Sequence, residues 1–296
     1  GATGCRGLSA QAWAPDGPSG ADGAFWGTLS LEAAGLRPGD FVTFWAGATD
    51  KEEADAAPRF WSEARLVGSS APGSGAAVAL ISDIDDTIRE TGVGNTSAVV
   101  RSTFLQPFKA APGAAGIYRM WAEQAAALRR AQPLRVHYLS GSPWQLQAEL
   151  KGWMWGPGAA ARPGGPFPYG SFHLKSIRLE LLEPWGLDAS MLRLVASPLE
   201  FKMNYAREIF ARSPNTQFLL VGDSGEKDPE IYGQLYREFP SQVACIMIRE
   251  VSNHGMGPAR EGEAFLDVPS QNWMVFRDYS ELERQKVKSM SLQQSC

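Results

Sequence analysis

Histidine and cysteine are scarce in this chain, at three residues each in 296, and the three cysteines (Cys5, Cys245 and Cys296) show no metal-ligand spacing. That scarcity argues against a zinc site and a disulfide framework, and it points to a reducing compartment in which Cys245, inside VACIMI, is a buried thiol of a strand. Cys296 is the last residue, so no prenylation box is formed. No apolar run approaches the roughly 20 residues that a spanning helix needs, and GATGCRGLSA has no cationic flank and apolar core of a leader. A basic excess is also missing: the formal charge is −4 and the pI about 5.5, which excludes a general nucleic-acid binder. What remains is an ordinary soluble composition, 44% apolar and 20% charged, long enough for a substantial core.

The pattern changes along the chain. Residues 1–75 contain FWGTLSL, DFVTFWAG and RFWSEARLV, which alternate with period two and are broken by PDGPSGADG and RPGD. They predict a small β-rich domain, ended by the small-residue linker GSSAPGSG at 68–75. Residues 76–296 then alternate strand-like and helix-like segments. AVALIS, LRVHYLS, TQFLLVGD and QVACIMIRE read as strands. PGAAGIYRMWAEQAAALRRA, PWQLQAELKGW, FKMNYAREIFARS and DPEIYGQLYREF read as helices, with Lys202 near the start of the third. Such alternation predicts an α/β fold with a mainly parallel sheet, whose ligands bind beyond the carboxyl ends of the strands.

Polar residues collect at those ends. AVALIS runs into Asp83, Asp85 and Thr87, LRVHYL into Ser140 and Gly141, and QFLLVG into Asp223, with Asp228 five residues on. Crowded carboxylates repel one another unless a cation compensates them, and hard oxygen donors suit Mg²⁺. A carboxylate nucleophile divides a difficult phosphoryl transfer into two steps. A second carboxyl can move the proton, while a hydroxyl, a lysine and backbone N–H groups hold the phosphate oxygens.

These motifs carry a resemblance. D-x-D-x-T after one strand, Ser after a second, Lys before a third and GD-xxxx-D after it are similar to the motif series of the haloacid-dehalogenase-like (HAD-like) hydrolases. More narrowly, SDIDDTIRETGV, STFLQPF, VHYLSGSPWQL, SPLEFK and VGDSGEKDPEIY resemble the catalytic domain of the actin-patch-associated phosphatidate phosphatase family, over about residues 77–251. The resemblance implies a HAD-like, Rossmannoid parallel sheet flanked by helices and Mg²⁺-dependent hydrolysis of phosphatidate to diacylglycerol through an aspartyl-phosphate. It assigns Asp83 as nucleophile and metal ligand, and Asp85 as general acid/base whose backbone carbonyl faces the metal. Thr87 supports the loop, Ser140, the Gly141 N–H and Lys202 hold phosphate oxygens, and Asp223 and Asp228 complete the metal shell. Asp86 receives no catalytic role. A phospholipid met transiently at a membrane surface is the implied partner, in a cytoplasmic protein peripheral at membranes, with the N-terminal β domain available to a protein partner. Hydrolysis of a soluble phosphomonoester or phosphoprotein, or a membrane or cytoskeletal adaptor role, are the competing readings.

Other residues have plainer expectations. Asp228 precedes Pro229 and can equally cap a helix, and Ser142 competes with Ser140 but precedes Pro143 at a helix start. His137, His173 and His254 are read as structural, and Arg89 and Arg249 as solvated surface arginines. The aromatic, Pro/Gly-rich stretch 153–174 is read as a long loop packed on the core, with a lid or lipid-facing rim as the alternative. Between Thr87 and Ser140 there is no room for a large cap domain.

Overall fold

The computed structural model describes residues 41–46, 60–65, 77–91, 107–128, 134–175, 198–251 and 255–284. By its internal contacts the chain forms two compact units, Gly1–Gly68 and Ser69–Cys296. In the first unit, β1 (Phe41–Ala46) and β2 (Phe60–Arg65) pair antiparallel, with Phe41 opposite Arg65 and Ala46 opposite Phe60. These strands fall within the DFVTFWAG and RFWSEARLV runs. FWGTLSL and the linker 68–75 lie outside the described residues.

The second unit is built on a six-stranded sheet. Its strands are β3 (Ala77–Ser82), β4 (Arg135–Pro143), β5 (Ser171–Lys175), β6 (Thr216–Asp223), β7 (Val243–Arg249) and β8 (Trp273–Phe276). They lie in the order β5-β4-β3-β6-β7-β8, and every neighbouring pair is parallel. The helices are α1 (Ala114–Leu128), α2 (Gln147–Trp155), α3 (Pro198–Arg212), α4 (Asp228–Glu238), α5 (Pro258–Ala264) and α6 (Tyr279–Arg284).

Parallel strands covered on both faces need apolar residues at every position rather than at alternate ones. β3 meets that need: all six of its residues are buried. Val78 and Leu80 enter one core with Ile117, Tyr118, Trp121 and Ala125 of α1. Ala79 and Ile81 enter the other with Met203, Ala206 and Phe210 of α3 and Ile231, Tyr232 and Leu235 of α4. Each buried Val, Leu, Ile, Met or Phe side chain among these contributes on the order of 1.5–3 kcal/mol of transfer free energy. Close packing between α4 and α5 depends on Gly233, where a Cβ would lie 1.9 Å from the Ala264 carbonyl oxygen.

The strand order locates the site. From β3 the chain proceeds outward through β4 to β5, then returns to β6 on the other side of β3 and proceeds outward through β7 to β8. The reversal falls between β3 and β6, and a crevice opens beyond the carboxyl ends of strands at such a switch point. Asp83 follows β3 and Asp223 ends β6, so these two carboxylates bracket the crevice.

The structure revises several boundaries. Helix α3 begins at Pro198, so Lys202 lies in its second turn rather than at its start. Strands β5 and β8 and helices α5 and α6 have no counterpart in the sequence pattern, since each is only four to seven residues long. Cys245 is buried in β7 as expected, but it is disulfide-bonded rather than a free thiol. The stretch 153–174 is in part structured, carrying the end of α2, a single 3₁₀ turn (Pro157–Ala159) and most of β5. It packs on the core: Phe167 meets Tyr118 of α1 at 5.7 Å and Trp155 meets Tyr138 of β4 at 6.3 Å between ring centroids.

Candidate active site

The loop after β3 is fixed by its own backbone. The Asp83 N–H donates to the Val221 carbonyl at 2.9 Å, and the Ile88 and Arg89 N–H groups both donate to the Ile84 carbonyl, at 3.0 and 2.9 Å. Asp86 turns the chain with a φ of 52°, a left-handed conformation that aspartate tolerates better than most residues. Its side chain accepts the Thr91 N–H at 2.7 Å, and its carbonyl accepts Arg249 Nη1 at 2.5 Å. Asp86 therefore serves the turn, in keeping with its lack of a catalytic assignment. Arg249 is half-buried and tied to this loop rather than a solvated surface residue.

Two clusters of side chains stand at the sheet edge. The first contains Asp83, Asp223, Asp228, Lys202 and Glu226. Lys202 is fully buried, and its ammonium donates to Asp83 Oδ1 at 2.9 Å, Asp228 Oδ1 at 2.6 Å and Glu226 Oε2 at 3.0 Å. Asp223 Oδ1 accepts the Gly225 and Glu226 N–H groups at 2.6 and 3.2 Å. Asp228 Oδ2 accepts the Asp223 N–H at 3.2 Å. The capping alternative for Asp228 does not hold: it is the first residue of α4, the cap position belongs to Lys227, and the Asp228 carboxylate faces the site.

One ammonium among four carboxyl groups leaves this cluster with excess negative charge in a buried place. Burial pushes the Asp83 carboxyl well above the ordinary carboxylate range; Lys202 opposes that rise, while Asp228, Glu226 and Asp223 add to it. Asp223 is raised by burial and then by Asp228 and Glu226, and Asp228 is raised by burial against the pull of Lys202. Burial alone would lower Lys202, but Asp228, Asp83 and Glu226 outweigh it and keep the ammonium charged.

Asp83 Oδ2 and Asp223 Oδ2 are both buried with no hydrogen-bond partner. Ligand oxygens of Asp83, Asp223 and Asp228 lie within 4.8 Å of one another. Unpartnered buried carboxylate oxygens are costly, and a hard cation held by them would remove the cost. The donor set fits Mg²⁺ on this ground.

The second cluster is built around Asp85. Its Oδ1 accepts Arg89 Nε at 2.9 Å and also contacts Nη2. Its Oδ2 accepts Ser140 Oγ at 3.0 Å and Ser142 Oγ at 2.5 Å. Both serines thus reach the site, and Ser142 does not cap the following helix turn, whose cap position is Pro143. Gly141 lies between them, with open space where a Cβ would be. Thr87 is buried with Oγ1 unpartnered, and its carbonyl accepts the Tyr279 hydroxyl at 3.1 Å. The Asp85 carboxylate is not one of the three that group for a cation.

Sequence reasoning missed Glu226, although it lies inside the GDSGEKD motif, and it misread Arg89, which is 1% exposed. His137 and His173 meet across β4 and β5, with Nδ1 and Nε2 3.3 Å apart and Ser171 Oγ 2.9 Å from each. His254 lies outside the described residues.

The model of the phosphatidate phosphatase APP1 catalytic domain matches residues 78–250. The chain belongs to that family. The chain is 27% identical over 219 residues to the phosphatidate phosphatase APP1 of Saccharomyces cerevisiae, which covers 74% of this chain and 32% of that protein. It is 26% identical over 189 residues to the uncharacterised protein C29B5.04c of Schizosaccharomyces pombe, covering 61% of this chain and 26% of that protein. The chain thus spans about a third or less of the length of these relatives. All eight sequence-assigned residues fall inside the family match, and so do Arg89, Ser142 and Glu226.

Proposed function

We propose that this protein is a Mg²⁺-dependent phosphatidate phosphatase of HAD-like mechanism, releasing phosphate and diacylglycerol through an aspartyl-phosphate on Asp83. The observation that carries this reading is the Asp83 carboxylate: Oδ1 is held by Lys202, Oδ2 is buried and unpartnered, and Asp83 groups with Asp223 and Asp228.

Mg²⁺, held by Asp83 and Asp223 with Asp228 and the Asp85 carbonyl in support, would supply charge compensation for phosphate beside carboxylates. Lys202 aims Asp83 and offers its ammonium to the charge that develops on the non-bridging oxygens. Ser140 and the Gly141 N–H bind phosphate oxygens, at a place where the missing Gly141 side chain leaves room. Thr87 keeps the loop in register through the Tyr279 bond to its carbonyl. Asp85 protonates the departing alcohol and then takes a proton from the attacking water.

The membrane contact in this reading is brief. Among the described residues no helix is long and apolar enough to cross a membrane, and a net charge of −4 gives little attraction to anionic lipid. We take the protein to act as a peripheral enzyme, and the N-terminal β-rich domain, 1–75, to engage a protein partner.

The test is phosphate release from phosphatidate in mixed micelles, with Mg²⁺ and then with EDTA, beside a soluble aryl phosphate. Release from the lipid that stops with EDTA supports the reading. Cleavage of the aryl phosphate with phosphatidate left intact would overturn the lipid assignment and leave the chemistry standing.

A further inference from the structure

Asp85 carries more donors than a group can keep while it moves a proton. The two oxygens differ in the kind of donor they hold. On Oδ2 sit two hydroxyls, Ser140 and Ser142, which rotate about single bonds and flank the open space at Gly141. On Oδ1 sits Arg89, which cannot turn away. Its guanidinium lies 4.4 Å over the Phe108 ring, and it is 1% exposed. Its N–H donates to the Ile84 carbonyl and its own carbonyl accepts the Asp86 N–H, at 2.9 and 2.7 Å. Nη1 is buried without a hydrogen-bond partner. Packing alone is a poor reason to bury a cation with one donor unmatched, because an apolar side chain would fill the space at no such cost.

We propose that Arg89 is a positioning residue that holds Asp85 by Oδ1 throughout turnover, so that Oδ2 alone carries the proton. Substrate phosphate draws Ser140 and Ser142 away from Oδ2 as they turn to its oxygens, and the freed oxygen then faces the bridging oxygen of the ester. In the first half-reaction an Asp83 oxygen bonds to phosphorus and the phosphorus–alkoxy bond breaks. The departing oxygen keeps the electron pair and takes the proton from Asp85 Oδ2. In the second, a water oxygen bonds to phosphorus, its proton passes to Oδ2, and the bond from phosphorus to Asp83 breaks. Both side chains are regenerated, with one water consumed. The inference rests on the phosphatase reading, and it does not depend on which alcohol leaves.

The experiment compares the full chain with Arg89→Met and Arg89→Lys on a series of substituted phenyl phosphates, from 4-nitrophenyl to phenyl. A nitrophenolate departs without a proton, whereas a more basic leaving group needs one, so loss of proton delivery grows along the series. Arg89→Met is expected to lose less than about tenfold in kcat/KM at the nitrophenyl end and about 10²-fold at the phenyl end, kcat/KM being read because it reports the step in which the alcohol leaves and not the hydrolysis common to every ester. Lysine keeps the charge but not the planar pair of donors, and it is expected to recover part of the phenyl loss. A uniform loss along the series in the variants would overturn the role and mark Arg89 as structural. Circular dichroism checks the fold, and if the methionine variant does not fold, the slope for Arg89→Lys decides in the same way. A wild-type chain that leaves every ester intact would overturn the phosphatase reading, and this inference with it.

Discussion

At the scale of single residues, the buried carboxyl cluster gives up stability that the proposed cation would restore. Asp223 illustrates the balance. Its Oδ1 is satisfied by two backbone N–H groups, while Oδ2 has no partner and the group is raised by burial and by Asp228 and Glu226. Asp223→Asn keeps an acceptor for the N–H groups and removes the charge. The metal-free variant is expected to melt above the metal-free wild type, by roughly 2–4 °C for each kcal/mol relieved in a unit of this size. Millimolar Mg²⁺ should raise the wild-type melting temperature and leave the variant unmoved, since a ligand stabilises only the state that binds it. Differential scanning calorimetry with and without Mg²⁺ reads both effects. A variant that gains the same stabilisation from Mg²⁺ would place the cation elsewhere. Much at this scale was legible. Asp83, Ser140 and Asp223 follow or end apolar runs, and a strand's end is visible where such a run stops. Arg89 was not legible, because its burial is created by Phe108, which reaches it from a separate segment of the chain.

Secondary-structure elements hold these residues through close approach and register. Gly222, the penultimate residue of β6, lies against Asp228 at the start of α4, so that a Cβ there would sit 2.4 Å from Asp228 Oδ2. Gly222→Ala should therefore push the Asp228 carboxylate off Lys202, cost about 1–3 kcal/mol by overpacking, and lower phosphate release with it. Chemical denaturation and an activity assay on the same preparation check the pair of effects; loss of neither would contradict the packing described. On the other side of the sheet, β4 and β5 bring His137 and His173 together. Burial lowers His137 to about 3, helped by His173 and Arg135, and lowers His173 to about 4, with Arg212 adding to it. Histidines in an unfolded chain titrate near 6.5, so the unfolded state binds more protons between the two ranges. Stability from this pair is present in full above about pH 6.5 and is lost as the pH falls toward 4. The melting temperature should decline over that interval, and more shallowly in a His137→Gln, His173→Gln double variant; equal slopes would contradict the assignment. None of this could be read from the sequence, because the pairing depends on the Leu139–His173 register of two strands, one of which is a five-residue edge strand.

The whole molecule is legible in proportion to how much each element is covered by others. β3, β6 and β7 lie inside the sheet, carry unbroken apolar runs, and fall within a residue of the runs that announce them. β5 and β8 occupy the two edges, and short edge strands such as SFHLK and WMVF carry too little pattern to announce themselves. The order of the strands brings the chemistry together, since the reversal between β3 and β6 puts the aspartate after one strand beside the aspartate that ends the next. All the residues assigned to chemistry lie in the unit Ser69–Cys296. The claim on which the account stands is that Asp83 accepts the phosphoryl group during turnover. It is tested most directly by acid-quenching the working enzyme with phosphatidate, reducing acyl phosphates with borohydride, and sequencing the peptides by mass spectrometry. Conversion of residue 83 to homoserine, dependent on substrate and absent without borohydride, is the predicted result; steady phosphate release with Asp83 unmodified, or with the reduction at another carboxylate, would contradict it.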